Sequence, residues 1–325
     1  MSFLFIQQNT EKNIYSLNTL KLLLSFMVVF IHTRFFLDTS ALLDTFTSNG
    51  FFRISVPIFF IINGYFLPSS IKSFKEWLMK SLTMYIALTV LYSFFWLDFT
   101  SVMSALKSTL HAFFVGFSHL WYLQAMIIAG VIIFLFKNKN LLLFLSVILF
   151  FLGVLFQIYN SYQHMVHMDI PLRYSLYRNA FTIGLPFMLI GNLIRLGRLN
   201  VPIRLIFPLA VISAATLCIE IYINYFEFVS NVDLNKPWSF DIYFSLILLC
   251  PAIFLIFLNF NNGVCINRDI PNYIYFFHPL PVLILSSSGI LFNDRVEFSS
   301  VIIIITLMIV WGVIKIKDFR TKVRN

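Results

Sequence analysis

Two ionisable residues inside one apolar run are the first candidates for chemistry: Lys21 and His32 in LNTLKLLLSFMVVFIHTR, residues 17–34. An ionisable side chain at membrane depth is costly and rare, so it marks either a functional site or a paired structural contact. Eleven residues separate the two, and in a helix that is a rotation of roughly 1100°, three turns plus about 20°. They therefore share one face, roughly 16 Å apart along the axis, with Ser25 between them on the same stripe. An imidazole titrates near neutral pH, and can take a proton from a hydroxyl nucleophile and return one to a leaving group. A fixed cation such as Lys21 or Arg53 can hold a phosphate or stabilise an oxyanion. Together these groups suit acyl transfer from a thioester to an alcohol.

Other polar groups fall in apolar runs, each with a plainer role beside the chemical one. Arg53 opens FFRISVPIFFIINGYFL at a depth similar to that of His32, where it either holds an anionic or hydroxylated ligand or snorkels to the interface. Deeper in the same run Pro57 is placed to kink the helix, and Asn63 precedes Gly64. His119, Trp121 and Gln124 begin another run, as polar ligands or as part of an interfacial aromatic belt. Arg178 in YRNAF is a weaker candidate. His278 in YIYFFHPLP either shapes a pocket or bonds a carbonyl freed by the helix break. His164, His167 and Asp169 have a spacing that would need a helix and further ligands to hold a metal, so no metal is expected. The chain contains no GxxxxGK[ST], no GxGxxG after a strand and no GxSxG elbow, which argues against ATP-driven, nicotinamide and serine-hydrolase chemistry.

The elements that must position these groups are membrane helices. Of 325 residues, 59% are hydrophobic and only 11% are charged, against about 25% charged in a soluble globular domain. An all-α integral membrane protein is expected, as a single domain over 1–325 with no soluble domain. Ten spans are predicted by the length rule of roughly 20 residues each: 17–37, 50–68, 80–97, 119–136, 140–159, 176–195, 203–224, 240–259, 272–291 and 299–316. The sixth and ninth are interrupted by Arg178, Pro186, His278, Pro279 and Pro281. Lys and Arg concentrate in alternate loops and in the tail, from Lys72, Lys75 and Lys80 to Lys315 and Lys317, which predicts both termini to be cytoplasmic. Lys21 then lies toward the cytoplasm and His32 in the outer half. The net charge of +9 is read as topological, since the basic residues flank apolar segments, and no nucleic-acid partner is expected. The scattered Cys218, Cys250 and Cys265 are expected to be free.

Several of these segments together resemble the acyltransferase-3 family of membrane acyltransferases. LNTLKLLLSFMVVFIHT looks like the family's opening motif of an Arg, ten residues and a His, with Lys21 at the Arg position and His32 at the His. FRISVPIFFIINGYFL resembles its second-span pattern, Asn63 replacing the usual Ser before Gly64. HLWYL at 119–123, GLPFMLIGNLIR at 184–195 and YIYFFHPL at 273–280 are similar to later elements, in the right order. The resemblance implies an enzyme of the bacterial inner membrane that moves an acyl group, often acetyl from acetyl-CoA, to a hydroxyl of a surface polysaccharide or its lipid-linked precursor. His32 would be catalytic, and Lys21, Ser25 and Asn63 would face the acyl-CoA donor. Arg53, His119, Trp121 and Arg178 would lie on the acceptor or oxyanion side, with His278 in a possible pocket. Besides donor and glycan, only membrane lipids are expected as partners. Lysine is a point charge where Arg offers a bidentate fork. Lys at this place with IHT following also resembles the membrane half of vancomycin-resistance serine racemases. That likeness keeps open a transporter or flippase-like protein that moves an amino acid or glycan intermediate without chemistry.

Overall fold

The computed structural model describes residues 10–162, 174–231, 240–259 and 266–324. Among them the secondary structure is entirely helical, with no strand. The chain divides into two compact units, Met1–Ser55 with Phe257–Asn325, and Val56–Ile256.

In the first unit, helix Thr10–Thr33 packs against helix Ile270–Phe277, and both meet the long helix Arg295–Arg324. The seam is apolar: Val29, Ile274, Phe298, Ile302 and Val310 form a buried cluster, flanked by Leu22, Phe26 and Tyr273. Leu22, Phe26 and Val29 recur at intervals of four and three, the spacing that lines one face of a helix. That face is turned to the protein. The short helix Ala41–Thr47 and the 3-10 turn Phe51–Ile54 complete the unit, together with helix Pro279–Ser287.

In the second unit, helix Leu185–Arg195 packs on both Trp121–Leu135 and Lys139–Ser161. Helix Lys139–Ser161 shows how such a sequence sits in a bilayer. Leu142, Ser146, Phe150, Gly153 and Gln157 recur every three or four residues and are buried, whereas Phe144, Ile148, Phe151 and Leu155 form a second stripe that is exposed. Such a stripe would be a liability in water; in hydrocarbon it is the lipid face.

Six stretches are long and apolar enough to cross a membrane: Tyr15–Thr33, Ala41–Tyr65, Ser118–Leu135, Lys139–Ser161, Ile203–Phe226 and Arg295–Phe319. The protein is thus multi-pass, but four of the ten expected spans do not appear as single long apolar helices. Helix Ile71–Leu91 has the length but carries Lys72, Lys75, Glu76 and Lys80 in its first turns. The expected span 176–195 is a 3-10 turn, a π-turn and an eleven-residue helix, Leu185–Arg195. The span expected at 240–259 starts as irregular chain and becomes helical only at Leu246. The ninth is cut between Phe277 and Pro279. A further difference concerns Pro57. The helix begins at Ser55, so this proline sits in the first turn, where its missing N–H costs no intrahelical bond.

The non-helical stretch before Leu246 needs other partners for its backbone. Gln157, fully buried, donates from Nε2 to Ile242 O at 2.7 Å, and its Oε1 accepts from Asp241 N and Ile242 N at 2.7 and 3.1 Å. Glu220 accepts from Phe244 N and Ser245 N at 2.9 and 3.1 Å, and from the Ser245 hydroxyl. One amide and one carboxylate replace the hydrogen bonds a helix would have made. Gln157→Leu strands two N–H groups and a carbonyl at no loss of bulk. It is expected to cost about 2–4 kcal/mol, measured as a lower melting temperature of the detergent-solubilised protein; an unchanged melting temperature would sink this account.

Candidate functional site

In the first unit the stripe predicted on helix Thr10–Thr33 ends in two different environments. Lys21 is half-buried and feels the charges of Arg268 and Asp269, and the Asp269 carboxylate is in turn salt-bridged to Lys317. Three cations to one carboxylate leave this end positive, suited to an anion. Ser25 lies midway and fully buried, its hydroxyl donating to Leu22 O at 2.8 Å. His32, in the last turn, is exposed.

Beside His32 lies His278, 246 residues later. Their ring centroids are 5.1 Å apart and the planes are tilted by 49°. His278 is fully buried and caps the break between helices Ile270–Phe277 and Pro279–Ser287. Its Nδ1 lies 3.1 Å from Ile274 O, a carbonyl that also accepts from His278 N at 3.1 Å and so is not the one that Pro279 leaves free. The same residue also borders the candidate base.

The chain turns sharply just past His32. Arg34 has a φ of +53°, a left-handed conformation that costs a non-glycine residue roughly 1 kcal/mol. Its N–H closes the helix on Phe30 O at 2.8 Å, and its guanidinium binds the wholly buried Asp44, with Nε at 3.1 Å. Arg34 and Asp44 are a buried-ended ion pair that anchors this turn. Arg53 lies in the turn Phe51–Ile54 and donates to Asn49 Oδ1 at 3.1 Å. It is half-buried against a neighbour in its own loop.

The second unit holds its own polar group. Arg178 lies over the Trp121 ring at 5.3 Å and over Tyr174 at 6.0 Å, and its guanidinium is 3.6 Å from Asp241. The Trp121 and Arg178 picked out from sequence are thus brought together, with Asp241 as a partner not foreseen. A cation over an aromatic face, held by a carboxylate, is an arrangement able to meet a polyhydroxylated ligand. His119 is 2% exposed, its ring 5.1 Å from that of Tyr92. The positive φ values of Gly116, +87°, and Ser118, +49°, fold the chain tightly ahead of it. A Cβ on Gly116 would come within 2.5 Å of the Trp121 Cα, so the turn is closed down on the start of helix Trp121–Leu135. Asn63 donates to Phe59 O at 2.9 Å and to the Tyr122 hydroxyl. Its amide links two helices of the unit.

Asp44, Asp241 and Glu220 were missed as structural partners, although each is an acid within or beside an apolar run. That signal was present, but their partners were not legible in the spacing. Among the described residues no cluster of three or more His, Cys, Asp or Glu could hold a metal. His164, His167 and Asp169 lie outside the described residues, as does Cys265; Cys218 is free.

A family model described as an acyltransferase domain, the third of that name, matches residues 14–316. No curated protein and no solved structure matches the chain.

Proposed function

Since the chain belongs to the acyltransferase-3 family, we propose that it is a membrane O-acyltransferase that moves an acyl group, acetyl in the simplest case, from acyl-CoA to a hydroxyl of a surface polysaccharide or its lipid-linked precursor. The observation that carries this reading is the asymmetric stripe of helix Thr10–Thr33, cationic around Lys21 and ending in the exposed His32. The donor's phosphates would sit at the cationic end, with its pantetheine arm running along the stripe. The thioester carbonyl would then lie at His32. A sugar hydroxyl gives its proton to His32 as its oxygen bonds the carbonyl carbon. The carbon–sulfur bond breaks and the proton passes to the departing thiolate, which yields ester and free coenzyme A. In the second unit, the Trp121, Arg178 and Asp241 group is the candidate for glycan contact.

The rest of the reading follows from sequence. Ten crossings of a bacterial inner membrane, with both termini cytoplasmic, bring a cytoplasmic donor to the Lys21 end. Shortened and broken helices such as 270–277 and 279–287 are compatible with crossings wherever their backbone faces protein.

Labelled acetyl-CoA supplied to proteoliposomes with a crude glycan fraction tests this directly. Label is expected in the glycan, dependent on intact protein and released by mild base as an ester. Uptake of a glycan intermediate or of serine without any acyl donor, and no label transferred, would overturn it in favour of transport.

A further inference from the structure

We propose that helix Val102–His111 is an interfacial helix, lying flat in the headgroup boundary of the bilayer with phospholipid as the partner along one of its faces. The inference does not depend on the acyl-transfer reading; it needs only a chain that resides in a membrane. Ser101 caps the helix, its hydroxyl accepting from Ser104 N at 3.0 Å, and ten residues carry it roughly 15 Å. That is half of the roughly 30 Å a crossing requires. Its place on the second unit is fixed from both ends. The Ser108 hydroxyl accepts from Asp98 N at 3.2 Å. Just past His111, the Tyr85 hydroxyl lies 2.9 Å from both Ala112 O and Phe113 O, and Gln124 Nε2 donates to Phe114 O at 3.0 Å.

The helix is inside out. Val102, Met103, Leu106 and Leu110 fall within about 100° of one another around the axis, and all four are exposed, Val102 at 89%. Ser104, Ala105, Ser108 and Thr109 fill the opposite arc and are half-buried against the protein. An amphipathic helix in water turns these faces the other way, because burying leucine and methionine removes apolar area from water and burying serine does not. The inward hydroxyls stay satisfied, Thr109 donating to Ala105 O at 2.7 Å and Ser108 to the same carbonyl at 3.0 Å. Along the chain the outward apolar surface runs beyond the helix: Phe94 and Phe99, 90 and 80% exposed, precede it, and they follow the exposed Ile86 and Val90 of helix Ile71–Leu91. The border of the arc carries charge. Lys107 and His111 come next around the axis after Met103, and both are exposed. A lysine there lays its stem along hydrocarbon and its ammonium among lipid phosphates. An apolar arc with a basic border, too short to span, is the form that lies in the interface plane, sunk roughly 5–10 Å. Lipid also fits this face better than a second copy of the chain does. A two-fold dimer would bring the patch against itself, with Asp98 the only acid in residues 93–114 to answer Lys107.

Nitroxide labels placed one at a time on the full-length protein test this, in vesicles of phosphatidylethanolamine and phosphatidylglycerol and in a background carrying Cys218→Ala, Cys250→Ala and Cys265→Ala. At Met103→Cys, Leu106→Cys and Leu110→Cys the ratio of collisions with oxygen to collisions with a water-soluble nickel chelate is expected to be several-fold higher than at Thr100→Cys, in the exposed turn ahead of the helix. Depth decides the attitude of the helix. Positions 103 and 110 are roughly 10 Å apart along the axis, so a helix lying flat puts both labels at nearly one depth, whereas an upright one separates them by about that distance. Equal access of the chelate at 106 and 100, or a depth difference near 10 Å, overturns the proposal. So does spin–spin broadening in singly labelled protein that disappears on dilution with unlabelled protein, the mark of a second copy on this face. Should the cysteine-free protein fail to fold, wild-type protein in vesicles doped with a phospholipid that bears a carbene precursor on its acyl chain gives the same decision by peptide mass spectrometry. Label within 102–110 upholds the interfacial helix. Label on helix Lys139–Ser161 with none in 102–110 overturns it.

Discussion

Gly191→Val is expected to leave little or no folded protein, although it adds only three carbons to a helix. A Cβ built on Gly191 falls 2.0 Å from Ile61 O and 2.9 Å from Tyr65 N, and one built on Gly64 falls 1.8 Å from Met188 O. The two glycines answer one another across helices Ser55–Tyr65 and Leu185–Arg195. At this crossing the obstacles are backbone atoms, which cannot rotate aside, so the helices must part. In a membrane, helix association depends on such close backbone approach because lipid is as apolar as the side chains. Separation would also open the packing of Phe60, Ile61, Phe187, Met188 and Leu189, all fully buried or nearly so. The cost should exceed the about 1–3 kcal/mol of ordinary overpacking and reach the exceptional range above about 4 kcal/mol. Gly64→Ala should be nearly as harmful, since its first added carbon already collides. The control is Gly312→Ala, where a Cβ meets nothing within 4 Å in helix Arg295–Arg324; there alanine should stabilise by up to about 1 kcal/mol. Fluorescence-detected size exclusion and melting temperature decide it, and a monodisperse Gly191→Val protein with a wild-type melting temperature would refute the contact.

The glycines in FIINGYF and MLIGNLI illustrate what a sequence can and cannot declare. Both stand in apolar runs, where glycine reads as a place of close approach, but which helix approaches is not written nearby. Local periodicity sufficed for the Lys21, Ser25 and His32 stripe, because a helix fixes the angle between its own residues. The interruption at His278 and Pro279 was equally local, since proline chemistry acts within one turn. Contacts that join distant segments were not legible: His32 with His278, Gln157 with the backbone at 241 and 242, Glu220 with 244 and 245. Helix Ala41–Thr47 was also missed, since Asp44, Thr45 and Thr47 look like a polar loop; burial of Asp44 against Arg34 is what makes it a packed element. Four expected spans do not appear as single long helices, because a hydropathy run measures apolar length and takes no account of whether the backbone within it is continuous.

His32→Ala is expected to lower kcat for acetyl transfer by about 10³-fold or more, within the range general acid–base groups supply with some loss of positioning added. The residue is exposed on the last turn of helix Thr10–Thr33 and is not part of the buried Val29, Ile274 and Phe298 cluster, so the fold should survive its removal. The stripe predicts where the loss will appear. Lys21 lies roughly 16 Å away along the helix, beside Arg268 and Asp269, and the anion-binding end is unchanged in the variant. KM for acetyl-CoA should therefore stay near its wild-type value. Lys21→Met should show the opposite pattern, a raised KM with a smaller effect on kcat, because it removes a charge that binds ground and transition states alike. Lys21→Arg should retain most activity, since the positive charge that this end supplies is kept. Steady-state kinetics over acetyl-CoA concentration separate these outcomes. Full turnover by a folded His32→Ala protein would remove the imidazole from the mechanism, and equal changes in kcat and KM for both variants would show that the stripe is not divided into a binding end and a reacting end.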